Sequence, residues 1–295
     1  MILALALAAG FLLGLAVQQG STCAVTATKG IVYEGRTHRM RGFVVLMALA
    51  GLTQILLVAT VPDLVRIDAG LPVTSGLIVG GVLFGAGAIV NDACLFGSLA
   101  RTGHGELRFL MILPGLAAGY LISGAFDLAG PRPEQAIGEV YLDERTGTIV
   151  AVLVTMAIVA AISLGKYRPA PRQLPIVVSM LLFGIAGAFL YALAPGWTYA
   201  DVVRAEAVGI GGSWIDNLKG TGPLVAATML SGVIVAGLIS RTFTIQRPTL
   251  WTLVRSFVGG MMMAIAITFI PGGNDTLLLW SIPALTFSGI TAYLA

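Results

Sequence analysis

The chain contains two cysteines, Cys23 and Cys94, and each follows an interruption in a long apolar stretch. A thiol is a weak hydrogen-bond donor with a soft, polarisable sulfur, which suits a sulfur-bearing anion better than a hard oxyanion. The spacing makes no Cys-x-x-Cys pair and no zinc-binding set. We therefore predict that both thiols line a path for such an anion and that no metal or other cofactor is bound. Reversible persulfide chemistry and cysteines that only fill space are the open alternatives.

Small and polar residues at the interruptions complete the predicted path. Besides the two cysteines, the residues that we assign to it are Ser21, Thr22, Asn91, Gly273 and Asn274, with Gln19 and Asp92 as second-tier candidates. A helix that restarts after a break points unpaired N–H groups and the positive end of its dipole at the gap. Such ends attract an anion without lysine or arginine, so that the anion is also able to leave.

The acidic residues at the breaks have two interpretations. Asp92 could hold a proton or a cation in the path, or it could cap the helix that follows by accepting hydrogen bonds from backbone N–H groups. Asn274 and Asp275 could cap the last short helix in the same way. Capping is the commoner role for such residues, so we expect it at both places.

The composition requires a membrane. Of the 295 residues, 57% are apolar and 11% are charged, and the mean hydropathy is +0.93. Soluble domains contain about 25% charged residues, so this chain has too few to coat a surface that faces water. A soluble enzyme, a nucleic-acid-binding module and a disordered chain are thereby excluded. The composition indicates a multi-pass helical protein that lies in a lipid bilayer.

Nine apolar stretches approach the ~20 residues that a membrane-spanning helix needs. They cover 1–19, 42–61, 73–90, 107–126, 148–165, 175–194, 221–240, 249–270 and 281–295. Four shorter segments of mixed polarity follow spans and are typical of half-helices: 21–30, 92–100, 198–207 and 273–280. Non-helical backbone survives at membrane depth only where it is buried in protein or lines a polar cavity. The predicted fold class is all-α, with about nine spans and four half-helices.

The order of spans and breaks occurs twice along the chain. It fits approximately residues 1–147 and again 175–295, and the helix 148–165 links these parts within a single integral membrane domain, 1–295. Because five spans precede the second part, that part enters the membrane from the opposite side. The sequence therefore predicts inverted repeats, an architecture of many secondary transporters.

The distribution of basic residues predicts the orientation. With the N-terminus outside and the C-terminus in the cytoplasm, twelve of the 17 Lys and Arg residues fall in cytoplasmic connections. The remaining five lie on the outer side, namely Arg66, Arg132, Arg145, Arg204 and Lys219. The positive-inside rule favours this arrangement. We therefore predict a multi-pass protein of the bacterial inner membrane in that orientation.

Two stretches of the sequence resemble the YeeE/YedE family of sulfur-compound membrane transporters. The first is Gly10–Gly35, in which GLAVQQGST precedes Cys23, as in the family's glycine-rich helix followed by a cysteine. The second and more specific stretch contains GGVLFGAG at Gly80–Gly87, then Cys94, then RTGHG at Arg101–Gly105. It is similar to the family's glycine-rich helix, central cysteine and Arg-x-Gly-x-Gly tail.

The resemblance covers the whole chain in outline and implies a duplicated, hourglass-like fold that takes up thiosulfate. It also implies that central cysteines relay the ion through weak contacts, with Cys94 matching the principal cysteine and Cys23 the one at the first break. Two departures from the family pattern leave another sulfur or selenium species open. Asn274 stands where the family often has a third cysteine, and Asp92-Ala93 replaces a Gly-Gly pair.

Three functions follow from these observations. The first is import of a sulfur-containing anion, thiosulfate above all. The second is a membrane sulfurtransferase that passes persulfide sulfur to a cytosolic TusA-like carrier, and the third is a permease for an unrelated anion. Because no Ser/His/Asp, zinc or phosphate-loop pattern is present, we predict a transporter rather than an enzyme, with no nucleic-acid partner.

Overall fold

The computed structural model shows an almost entirely helical protein. It describes residues 2–20, 23–62, 65–68, 70–128, 135–137, 146–165, 167, 171–194, 196–208 and 221–295. In chain order the helices are α1 (Ile2–Gln19), α2 (Ala24–Glu34), α3 (His38–Thr60), α4 (Ser75–Asn91), α5 (Leu95–Thr102), α6 (Ile112–Ala125), α7 (Thr146–Leu164), α8 (Ile176–Leu193), α9 (Tyr199–Val208), α10 (Thr221–Ile239), α11 (Leu250–Ile267), α12 (Asn274–Thr276) and α13 (Phe287–Leu294). A 3₁₀ turn, Leu107–Met111, leads into α6, and a π-helical turn, Leu277–Ser281, follows α12.

The prediction of a multi-pass membrane protein is confirmed. Within the part of the chain that the structure describes, seven helices are long and apolar enough to cross a bilayer. They are α1 continued by α2, α3, α4 continued by α5, α6 with its 3₁₀ turn, α7, α10 and α11. The apolar helix α8 has 18 residues and lies near the lower limit of a span. A short helix also occurs in each of the four segments predicted after a break, namely α2, α5, α9 and α12.

The ninth predicted span, 281–295, is not a spanning helix. Its helical part, α13, has eight residues, which is far less than a bilayer requires. Pro283 lacks a backbone N–H, and Leu285 adopts a left-handed φ of 58°, so the helix is interrupted here. The chain becomes helical again only after Thr286, whose side chain caps α13 by accepting from the N–H of Gly289.

A small antiparallel sheet is an element that the sequence does not predict. It pairs β1 (Arg66–Asp68) with β2 (Gln135–Ile137), and Arg66 lies opposite Ile137. Both strands belong to segments that the sequence indicates only as polar connections. Their pairing places the connection after α3 beside the connection after α6.

The long helices pack in pairs that bring distant parts of the sequence together. α1 lies against α8 and α10, α3 against α7 and α8, and α11 against α4 and α6. Where α1 crosses α10, a Cβ atom on Gly14 would overlap the carbonyl oxygen of Met229, so the close approach requires glycine. The exposed residues of α7 include apolar side chains suited to lipid, such as Val152, Ile158, Val159 and Ile162. The short helices α5 and α12 meet inside this assembly.

Candidate functional site

Three short helices begin beside the sulfur atom of Cys94, which is 1% exposed. Cys94 precedes α5, and its Sγ caps that helix by accepting from the backbone N–H of Gly97 at 3.4 Å. The N–H of Ala24, the first residue of α2, also donates to this sulfur at 3.4 Å. A third donor is the side-chain amide of Asn274, the first residue of α12, at 3.4 Å. One buried sulfur therefore receives donors from three segments that are far apart in the sequence.

The second cysteine lies next to the first. Cys23 precedes α2 without making a side-chain cap, and the Cys94 Sγ donates to its Sγ across 4.0 Å. Both thiols are free and buried. A Cβ atom on Gly97 would overlap the Cys23 sulfur, so the glycine makes room for it. The structure thus brings together the two cysteines that the sequence assigns to one path.

The last break reaches the same place through Gly273 and Asn274. A Cβ atom on Gly273 would overlap Asp275 Oδ1 and Leu95 Cδ1, so the backbone comes close to α5 here. The capping role expected of Asn274 is wrong, because α12 begins after Gly273 without a side-chain cap. The Asp275 carboxyl interacts with the backbone N–H groups of Asp275 and Thr276 in the first turn. The Asn274 amide instead contacts Cys94, and its Oδ1 has no partner among the described residues. A hydrogen-bond donor therefore stands where the family pattern often has its third cysteine.

Asn91 stabilises the break between α4 and α5. Its Nδ2 donates to the carbonyl oxygen of Ala93 at 2.7 Å and to Ser98 Oγ at 2.8 Å. Ser98 Oγ in turn donates to the carbonyl oxygen of Cys94 at 3.0 Å. These bonds fix the backbone that carries Cys94, while a direct role of Asn91 in the path stays a prediction.

Asp92 lies at the centre of a cluster of charged side chains. Its carboxylate pairs with Lys29 of α2, with Arg101 of α5 at 2.8 Å and with Arg108 of the 3₁₀ turn at 3.2 Å. Glu106 pairs with Arg101 at 2.7 Å and extends the cluster. The ion pairs connect the end of α4 with three other elements. They also neutralise the negative charge that would repel an anion near the break.

The predicted capping role of Asp92 is wrong. The residue ends α4 in left-handed backbone, with a φ of 66°, and α5 is capped by the sulfur of Cys94 instead.

Three arginines donate hydrogen bonds to the carbonyl oxygens at the end of α4, which have no partners within the helix. The pairs are Arg255 Nε to Val90 O at 3.0 Å, Arg108 Nη1 to Asn91 O at 3.3 Å and Arg101 Nη1 to Asp92 O at 3.2 Å.

Gln19 joins α1 to its neighbours. Its Nε2 donates to the carbonyl oxygen of Ala236 in α10 at 3.3 Å, and its Oε1 accepts from the N–H of Leu174, just before α8, at 3.1 Å. Both ends of the amide are therefore occupied, and its second-tier role in the path stays a prediction. Ser21 and Thr22 lie outside the described residues.

Sequence reasoning did not identify every group that surrounds Cys94. Tyr199 of α9 donates its hydroxyl to the carbonyl oxygen of Leu95 at 2.9 Å, which ties a fourth short helix to the start of α5. No local pattern marks this tyrosine. Gly97, by contrast, is a glycine within a short helix, which is a signal of crowding. Within the described ranges, no group of three His, Cys, Asp or Glu side chains could hold a metal ion.

The fold and the site define a multi-pass helical membrane protein in which restarted helices surround buried thiols. The family model described as sulphur transport matches residues 19–295, which is nearly the whole chain. The chain therefore belongs to this sulphur transport family, the YeeE/YedE family, as the motifs around Cys23 and Cys94 predict. No curated protein matches the chain. Family membership identifies a membrane transport protein of sulfur metabolism.

Proposed function

We propose that this protein imports thiosulfate, or a closely related sulfur-containing anion, along a path that passes Cys94 and Cys23. The observation that carries the proposal is the convergence of three N–H donors and a second thiol on Cys94 Sγ. Membership in the sulphur transport family supports a sulfur compound as the substrate.

The chemistry of the donors suits an anion that must pass rather than stay. Thiosulfate carries its charge on oxygens and on a soft terminal sulfur, which a thiol and amide N–H groups contact weakly. No lysine or arginine is among the described donors to the Cys94 sulfur. An anion held only by such groups is bound weakly at each position, so it is able to move on along the path, as conduction requires.

The contact between the thiols indicates how the anion would bind between them. Cys94 donates to Cys23 across 4.0 Å, which is a weak bond. An anion that enters between the two sulfurs would replace this bond with stronger, charge-assisted ones from both thiols. The N–H groups of Ala24 and Gly97 already point at this place.

We further propose that the halves 1–147 and 175–295 are inverted repeats, with the N-terminus outside the inner membrane and the C-terminus in the cytoplasm. This orientation requires a ninth crossing, which no single described helix makes, so we assign it to α12, the π-helical turn and α13 together. The helix packing supports this symmetry, because equivalent helices of the two halves make equivalent contacts. The contact of α1 with α10 corresponds to that of α8 with α3, and the contact of α11 with α6 corresponds to that of α4 with α13. The imported sulfur would then reach a TusA-like carrier in the cytosol.

Uptake into proteoliposomes tests the proposed transport. Thiosulfate labelled on either its inner or its outer sulfur should enter at the same rate, while sulfate should enter slowly and compete poorly. Empty liposomes and liposomes with Cys94→Ala are the controls. Entry of the outer sulfur alone would indicate a sulfurtransferase, and equal uptake of sulfate would indicate a general anion permease.

A further inference from the structure

A buried acid next to the candidate path has no role in the function described so far. Asp275 is 3% exposed, and its Oδ1 has no hydrogen-bond partner among the described residues. This oxygen folds back against the backbone of Gly273, where a Cβ atom would overlap it. The preceding residue, Asn274, contacts Cys94. An unsatisfied carboxyl oxygen therefore lies one residue from the amide that would meet the anion.

The groups around Asp275 do not neutralise it. The titratable side chains that interact with it electrostatically come from three helices, namely Asp201 and Tyr199 of α9, Tyr120 of α6 and Tyr191 of α8. The titratable group next to the start of α5 is Cys94, which contacts the neighbouring residue Asn274. Arg204 of α9 lies over the ring of Tyr120, 5.9 Å from its centre. No ion pair between described residues includes Asp275.

The hydroxyl groups nearby are largely used elsewhere. Tyr191 donates to Thr276 Oγ1 at 3.0 Å, and Tyr199 donates to the carbonyl oxygen of Leu95 at 2.9 Å. Asp201 accepts from Thr198 Oγ1 at 2.7 Å, so the second acid has a partner where Asp275 Oδ1 has none. Burial and the nearby Asp201 disfavour the ionised carboxylate of Asp275, whereas the backbone N–H groups of Thr276 and Asp275 and the hydroxyl of Thr198 favour it. A nearby negative charge is therefore able to shift the balance between the two forms.

We propose that Asp275 is a proton-binding site and that one proton enters with each imported anion. The inference rests on the proposed function, because the anion near Cys94 is what makes the proton necessary. An anion next to Asn274 repels an ionised Asp275 and favours its neutral form. By thermodynamic linkage, a protonated Asp275 favours binding of the anion to the same degree.

The proton balance of the cycle is complete without any electron transfer. The Asp275 carboxylate takes a proton from the outer side, forming an O–H bond as the anion arrives. When the anion leaves to the cytoplasm, the O–H bond breaks, the proton follows, and the carboxylate is restored. An inside-negative potential opposes anion entry by ~2.3 kcal/mol per charge at 100 mV. The proton cancels one unit of that charge.

Proteoliposomes with clamped membrane potential provide the test. For wild-type protein, an inward gradient of one pH unit should raise thiosulfate accumulation about tenfold, which is the limit for one proton per anion. Thiosulfate addition should also make the outer medium alkaline. In Asp275→Asn, whatever its rate, the ratio of protons to thiosulfate should fall to zero. The matched control is Asp127→Asn, an exposed acid at a φ of 49°, which asparagine tolerates.

A second measurement covers a variant that fails to transport. Infrared spectra of the solubilised protein should gain the C=O band of a dry carboxylic acid when thiosulfate is added at constant pH. The band should be absent in Asp275→Asn and retained in Asp127→Asn. Thiosulfate uptake without proton movement, uptake driven by sodium, or a band that persists in Asp275→Asn would overturn this inference alone. Failure of the wild type to take up thiosulfate at all would instead overturn the proposed function on which the inference rests.

Discussion

The side-chain amide of Asn274 donates to the sulfur of Cys94 at 3.4 Å, although 180 positions separate the two residues. Each residue lies at the start of a short helix, so the contact joins the last break in the chain to the second one. The amide nitrogen carries two hydrogens, and one of them is enough for the sulfur. An anion that reaches Cys94 would therefore meet a further donor from Asn274.

Replacing Cys94 should have the largest effect on transport. Cys94→Ala keeps a similar shape but removes a donor to a charged group, which is worth ~1.5–3 kcal/mol, or roughly tenfold to more than a hundredfold in rate. Cys23→Ala should slow uptake less. Cys94→Ser keeps a donor and should retain partial activity in a thiosulfate uptake assay. Normal uptake by well-expressed Cys94→Ala would mean that the cysteine only fills space.

Asn274 offers a test of the departure from the family pattern. Asn274→Cys places a weak donor at this break and should preserve measurable thiosulfate uptake. Asn274→Ala removes the donor and should slow uptake by about tenfold or more, on the same estimate for a bond to a charged group. The two variants are compared at equal expression in the same assay. Equal rates for alanine, cysteine and the native residue would remove Asn274 from the path.

Gly97→Ala should separate the two sulfurs. The added Cβ would overlap Cys23 Sγ and lie 2.8 Å from Cys23 Cβ, so the side chain must move. Overpacking of this kind costs ~1–3 kcal/mol, and both thermal stability and thiosulfate uptake should fall. Gly85→Ala is the matched control in a spanning helix, because its Cβ would meet nothing within 4 Å. If both variants behave alike, the packing of Cys23 on Gly97 is not required.

The ion cluster predicts a salt-dependent loss of stability in Asp92→Asn. Asparagine tolerates the left-handed backbone at this position, so the variant removes charge while it leaves the turn intact. Lys29, Arg101 and Arg108 would then face one another without their shared acid. After solvent screening we expect a loss of ~1 kcal/mol, and thus a midpoint lower by ~2–4 °C in thermal unfolding. High salt should shrink the difference, and a difference that does not change with salt would contradict an electrostatic cause.

The proposed orientation is tested with reporter fusions at Ala295. The distribution of basic residues predicts a cytoplasmic C-terminus, so a reporter that works only in the cytoplasm should be active there. A reporter that requires the periplasm should be inactive in the same fusion. The reverse result would overturn the cytoplasmic C-terminus and, with it, the inverted-repeat count of nine membrane crossings.

Properties that depend on local sequence were predicted correctly. A stretch of ~20 apolar residues is stable in lipid whatever its neighbours are, so composition and hydropathy suffice to identify a membrane protein. Interruptions are also local, because Gly, Pro and Asn stop a helix through their own backbone preferences. Hence α2, α5 and α12 lie at the predicted breaks. The motifs around Cys23 and Cys94 are likewise sufficient to identify the family without any knowledge of the fold.

Properties that depend on partners were decided only by the tertiary structure. The sequence predicts that Asp92 caps α5, but its carboxylate pairs instead with three basic residues from three different elements. The segment 281–295 is apolar enough for a membrane span. Its apolar composition means that it avoids water, but composition does not determine the path of the backbone, which turns at Leu285. Asn274 contacts Cys94 because the packing of α5 against α12 places them together. A hydrogen bond depends on distances of a few tenths of an ångström, and such distances between remote residues exist only once the chain has folded.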